Sequence, residues 1–203
     1  MASQAAICNR ALEKLGEQPI VSIDDGTKQA QALKRVYVDT LNALLVEHPW
    51  HFAKKRAALA ASAITPEWGF ARAYPVPADF LRLLAIKDGR DFSLESDISG
   101  AQAILCDAAG PLQILYLAAV GDPGRLPPHF VEALASKLAL DICEDLTQSN
   151  TKKDILSQMF TIDLAKAKRI NGLQQAPEAL PTFSWLSARG QAPIPPILTT
   201  DGQ

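Results

Sequence analysis

The side chains of this 203-residue sequence that could catalyse or hold a metal are three histidines, three cysteines and a few charged pairs. His48 and His51 stand at i, i+3, a spacing that would present two imidazoles together on one helix. Pro49 lies between them and breaks the helix that would align them. His129 stands alone, and neither HExxH nor a Cys/His ligand pattern occurs, so the histidines read as structural and no zinc site is expected. Cys8, Cys106 and Cys143 are far apart, odd in number and form no CxxC pair. They read as buried thiols in a reducing compartment.

The remaining motifs end the same way. The sequence has no GxSxG nucleophile elbow and no GxxxxGK[ST] phosphate loop. In Gly121-Asp122-Pro123-Gly124 the proline removes an N–H that a phosphate cradle would use, so the stretch reads as a turn. Asp24-Asp25 precedes a helix, where helix-start electrostatics account for it. Glu144-Asp145 has no visible carboxylate partner. No acid, base and electrophile stabiliser assemble, so no catalytic residue and no cofactor are expected.

Basic clusters are equally thin. In a strand, Lys54 and Arg56 of Lys54-Lys55-Arg56 share a face while Lys55 points away, which is half a phosphate-binding patch and suits a solvated edge. Lys152-Lys153 sits at a helix start, against the dipole. Twenty Lys+Arg against 22 Asp+Glu give a net charge of −2, without the basic excess of a dedicated nucleic-acid binder. Aromatic residues are 6% of the chain, too few for broad base-stacking platforms. At 48% apolar and 21% charged, the composition excludes wholesale disorder. The start of the chain lacks a basic segment followed by an apolar one, and no apolar run is long enough to span a membrane. A soluble protein made in a cytoplasm is expected.

The elements that position these residues follow from periodicity. Ser3 caps a first helix with Ile7, Cys8, Ala11, Leu12 and Leu15 on one face and Gly16 ending it. Thr27 caps a second, longer helix with Ala30, Leu33, Tyr37, Leu41, Leu44, Leu45 and His48 on one stripe, stopped by Pro49. From Trp50 to Val120 short apolar runs alternate with Pro, Gly and Asp. They predict strands at Phe52–Leu59, Ala71–Val76, Phe80–Ile86, Ala103–Cys106 and Leu112–Leu117 in a small antiparallel sheet. Pro127 and Pro128 open a third helix with Phe130, Val131, Leu134, Leu138 and Ile142 inward. A fourth follows the polar break Gln148–Thr151, with Ile155, Leu156, Met159, Ile162 and Ala165 inward. Residues 173–203 hold five of the 14 prolines, few charges and no periodicity, yet carry Phe183, Trp185 and Leu186. Such an arm either docks onto another surface or folds back onto its own helices.

The expected fold is therefore α+β, mainly α. It is a four-helix bundle (1–50 and 125–172) with a small antiparallel β-domain (51–124) inserted between helices two and three, plus an extended C-terminal arm (173–203).

Five stretches add a resemblance. They are Ala11-Leu12-Glu13-Lys14-Leu15-Gly16-Glu17-Gln18-Pro19-Ile20 with Ser22–Asp25; Leu44-Leu45-Val46-Glu47-His48-Pro49-Trp50-His51-Phe52-Ala53; Tyr74-Pro75-Val76-Pro77-Ala78-Asp79-Phe80-Leu81-Arg82; Phe130–Ala139; and Phe183-Ser184-Trp185-Leu186-Ser187-Ala188-Arg189. In this order and combination the sequence resembles the phage head-to-tail adaptor family represented by tail tubular protein A of short-tailed phages. It departs from that pattern in the Pro- and Gly-rich connection Gly121–Pro128 and after Arg189.

The resemblance implies a structural virion protein at the head–tail junction, assembled in the host bacterial cytoplasm. Family members form a ring, usually of twelve copies, beneath the portal protein, extend the DNA channel and present a platform to the tail nozzle or another tail protein. Genomic DNA would pass through without specific binding, and a near-neutral, mildly acidic chain suits such a channel. A flexible arm can wrap a large surface, so Phe183, Trp185, Leu186 and Arg189 are the expected portal contacts, with Trp185 as anchor. The alternatives of other classes are a virion-associated hydrolase acting during entry and a soluble helical DNA-binding module.

Overall fold

The computed structural model describes residues 3–96 and 100–174. Its elements run α1 (Gln4–Leu15), α2 (Lys28–Glu47), a 3-10 turn (His51–Ala53), β1 (Lys54–Leu59), β2 (Arg72–Pro75), β3 (Phe80–Ile86), β4 (Ser93–Ser96), β5 (Gln102–Cys106), β6 (Leu112–Ala118), α3 (Pro128–Thr147) and α4 (Asn150–Gly172). The helix ends follow local chemistry. Ser3 and Thr27 accept from the N–H groups of Ala6 and Ala30, each satisfying a donor that the first turn leaves free. Gly16, at φ +73°, closes α1 in the left-handed conformation that glycine adopts without a Cβ penalty.

The expected fold class does not hold. In place of a helix bundle carrying one small β insert, the described residues form four helices and two three-stranded antiparallel sheets in a different arrangement. The helices do not close a four-membered bundle. α3 is the hub, and α1, α2 and α4 each pack chiefly against it. The reason lies in its sequence, since Phe130, Val131, Ala133, Leu134, Ala135, Ser136, Leu138, Ala139, Ile142 and Cys143 bury most of its circumference. A helix apolar on nearly all sides is enclosed by neighbours and does not form one wall of a bundle.

The strands divide as β1-β6-β3 and β2-β5-β4. One small antiparallel sheet is expected, but the described residues form two, and β5 and β6, consecutive across the Gly110-Pro111 turn, lie in different ones. Three hydrogen bonds tie the 107–111 connection to the start of β2. The Ala71 N–H donates to the Asp107 carboxylate at 2.8 Å, and Arg72 and the Tyr74 hydroxyl donate to the Ala108 carbonyl at 2.8 and 2.6 Å. β5 therefore stays with β2, and β4, too short and polar to stand out in the sequence, forms its other neighbour. The two sheets share a core of Leu59, Tyr74, Ile86, Ile104, Cys106, Leu112, Ile114, Tyr116 and Ala118. The first sheet also touches the helices, because Leu117 and Val120 belong to the helical core, with Leu81 and Leu84 packed against it.

α4 also departs from its expected packing. Leu156 is buried and Met159 half-buried, but Ile155, Ile162 and Ala165 face outward. The helix meets the helical core through Leu156 and Ala167, with Met159, Phe160 and Leu164 packed against it, and through polar contacts. Asp163 accepts from the fully buried Ser136 hydroxyl at 2.6 Å and from Lys14 at 3.4 Å.

Candidate functional site at the helix–sheet junction

A network of polar and aromatic side chains lies where α2 ends, the first sheet begins and α4 finishes. Pro49 creates the problem this junction solves. The last carbonyls of a helix lack intrahelical donors, and a proline beyond the end removes one more. Two side chains from outside the helix supply donors. The Trp50 indole N–H donates to the Leu44 carbonyl at 2.9 Å, and Arg82, from β3, donates to the Val46 carbonyl at 2.7 Å. Trp50 is fully buried. It meets Phe130 edge-on at 5.0 Å and His48 edge-on at 4.8 Å, while Phe52 meets Phe130 at 5.0 Å. These edge-to-face contacts match the ring quadrupoles and fix the angles between the three segments.

Asn171 closes the junction from α4. It is 2% exposed, and its carbonyl oxygen accepts from the His51 backbone N–H at 2.9 Å. Its amide nitrogen lies 3.0 Å from His48 Nε2. An amide nitrogen only donates, so His48 Nε2 accepts and the imidazole is neutral. Burial holds the His48 pKa below the ordinary range, followed by the positive charge of Lys168 and smaller effects of His51, Lys54 and Arg82. His51 is lowered too, by burial and then by Lys54, whose ammonium lies 3.3 Å from Nδ1. An ion pair between Lys168 and Glu47 at 2.8 Å joins α4 to the end of α2.

The junction can hold helices and sheet in fixed relation and present the end of α4. It has no activated nucleophile, and neutral histidines locked to an amide and an ammonium are poor candidates for proton transfer. His48 and His51 do come together here, as acceptors in a structural network. His129 lies outside it, with its pKa lowered by burial.

The other candidate groups are dispersed. Asp25 accepts from the Val21 and Ser22 N–H groups at 3.0 and 2.9 Å, making a turn, while Asp24 pairs with Lys34. Glu144 pairs with Lys153 and Asp145 with Arg35, and Lys152 donates to the Leu15 carbonyl. Lys55 pairs with Asp79, which also accepts from Tyr116; the Lys55 hydrogen bond outweighs burial and lowers the Asp79 pKa. Cys8, Cys106 and Cys143 are buried free thiols, and burial pushes Cys8 up to about 11. Among the described residues no three His, Cys, Asp or Glu side chains converge as a metal-ligand set, and no helix is long and apolar enough to cross a membrane.

The expected portal contacts Phe183, Trp185, Leu186 and Arg189 lie outside the described residues. Sequence reasoning missed Asn171 and Arg82. Asn171-Gly172 reads as a helix stop, whereas Asn171 is inside α4 and buried. Its signal is its position four residues beyond buried Ala167, on the packed stripe. Arg82 stands within a strand whose neighbours are apolar, which itself marks a specific partner.

Comparison of the chain with models of known protein families finds no match, and comparison with curated proteins finds none either.

Proposed function

We propose that this chain is a non-catalytic head-to-tail connector of a bacteriophage virion. It forms a ring, of twelve copies in this reading, between the portal and a tail protein, and extends the channel through which genomic DNA passes. One observation carries the reading. Three of the separated stretches on which the resemblance rests meet at a single junction, with Trp50 against Phe130 and Arg82 on the Val46 carbonyl. Stretches that resemble a family in order and also build one structural unit together are better support than either alone. The junction ends at Asn171, two residues before the C-terminal arm begins, so a rigid body would present the arm from a fixed point. In this reading Phe183, Trp185, Leu186 and Arg189 contact the portal, and the weak net charge of −2 suits a channel that surrounds DNA without holding it.

The test is portal capture by the full chain and by two variants. Removing residues 175–203 is expected to leave the helical circular dichroism intact and to abolish capture. Trp185→Ala is expected to weaken capture at least tenfold, in line with a buried tryptophan anchor. Capture unchanged by both variants would remove the arm from the mechanism.

A further inference from the structure

α4 carries a second apolar face that the fold leaves open. Ile155, Ile162 and Ile170 are 53%, 54% and 42% exposed, although an isoleucine on a helix is ordinarily turned inward. At 3.6 residues per turn they fall on one stripe, with half-buried Met159 beside them. The steps of seven and eight residues on either side of Ile162 make the stripe nearly the same read in either direction. Laid antiparallel against itself, it sets Ile162 on Ile162 and each Ile155 on the other copy's Ile170.

The charges follow the same symmetry. Asp154 and Arg169 lie on one flank of the stripe, and neither forms an ion pair among the described residues. Like flanks meet in an antiparallel pair, and at 1.5 Å per residue the two positions fall within about 3 Å of each other along the axis. Each Arg169 would therefore meet the second copy's Asp154, twice per pair. Lys166, inside the stripe, falls opposite Met159, where its stem covers apolar surface and its ammonium reaches solvent. The other flank is already engaged within the molecule, through Asp163 with Ser136 and Lys14, and Lys152 with the Leu15 carbonyl.

We infer that the outer face of α4 is a two-fold self-association surface, on which a second copy of this chain packs its own α4 antiparallel. The contact is isologous, unlike the head-to-tail contact that closes a ring. It stands independently of the connector reading: loss of portal binding would leave it intact, and its failure would leave that reading intact. A single helix face is at the small end of specific interfaces, so the pair is expected to be reversible and concentration-dependent.

Sedimentation of the full chain across low to high micromolar concentrations is the first measurement, with a monomer–dimer equilibrium expected. Ile162→Lys is expected to shift it by at least tenfold toward monomer. Because that side chain is exposed, the substitution leaves the core untouched. Asp154→Arg alone is expected to weaken the dimer, and adding Arg169→Asp to restore it. Under mild oxidation Ile162→Cys is expected to give a disulfide-linked dimer against a low background, since Cys8, Cys106 and Cys143 are all buried. A monomer at every concentration, a dimer indifferent to Ile162→Lys, or no cross-link through position 162 would overturn the proposal. A dimer that forms only after removal of residues 175–203 would overturn it too, by making the chain's own C-terminal segment the occupant.

Discussion

Asn171→Ala tests the junction most sharply, because one side chain there holds two segments. The substitution removes the acceptor of the His51 N–H and the donor to His48 Nε2. Each hydrogen bond contributes about 1 kcal/mol net, and a buried N–H left without a partner costs roughly 1 kcal/mol more. The expected loss is about 2–3 kcal/mol, or a fall in Tm of roughly 5–10 °C for a chain of this length. Urea unfolding followed by circular dichroism reads it directly. Asn171→Asp separates the two bonds. It keeps the acceptor for His51 and loses the donor to His48, so at pH 8 it is expected to lie between the parent and Asn171→Ala. At pH 6 the introduced carboxylate favours protonation of His48, which then donates in return, and most of the loss is expected to be recovered. An Asn171→Ala variant within about 0.5 kcal/mol of the parent would refute this account, because surface substitutions without such partners fall in that range. So would an Asn171→Asp variant equally destabilised at both pH values.

Trp50→Ala removes a fully buried indole, its hydrogen bond to Leu44 and its edge contacts with Phe130 and His48, and is expected to cost about 3–5 kcal/mol in urea unfolding. Acidification gives a further test, since His48, His51 and His129 all have pKa values lowered from 6.5, burial being the first cause in each. Below pH 6.5 the unfolded chain binds protons that the folded chain refuses. Stability is therefore expected to be flat above about pH 7 and to fall as the pH drops through 6, with a slope of at most about 1.4 kcal/mol per pH unit per histidine. The check is the urea midpoint from pH 8 to 5.5, where a flat profile would contradict the lowered pKa values of these half-buried histidines. Asp163→Ala strands the buried Ser136 hydroxyl and leaves Lys14 with Glu132 as its remaining ion-pair partner, and is expected to cost about 1–3 kcal/mol, read by the same unfolding assay.

The helices were legible because their signals are local. Ser3, Thr27 and Gly16 mark ends by side-chain and backbone chemistry that needs no tertiary partner. β3 was legible over its whole length, Phe80–Ile86, from an apolar run that only Arg82 interrupts. What the sequence hid is non-local. Apolar residues at helical spacing do not say which neighbour they face, so Ile155 and Ile162 read as core although they lie outside it. A turn signal at Gly110-Pro111 does not say whether the strands on either side pair, and that is decided by bonds from Asp107 and Ala108 back to β2. The separation of β5 from β6, like the hub position of α3, overturned the expected bundle with one β insert. The junction was half visible: His48, Pro49 and Trp50 stand together in the sequence, but their partners Arg82, Phe130 and Asn171 lie far along the chain.

The connector reading is tested most directly by imaging the protein mixed with the portal protein of the same virus in the electron microscope. The account predicts a closed ring of subunits seated at the base of the portal, coaxial with its channel and absent when residues 175–203 are removed. Portal particles that remain bare at saturating protein would contradict it.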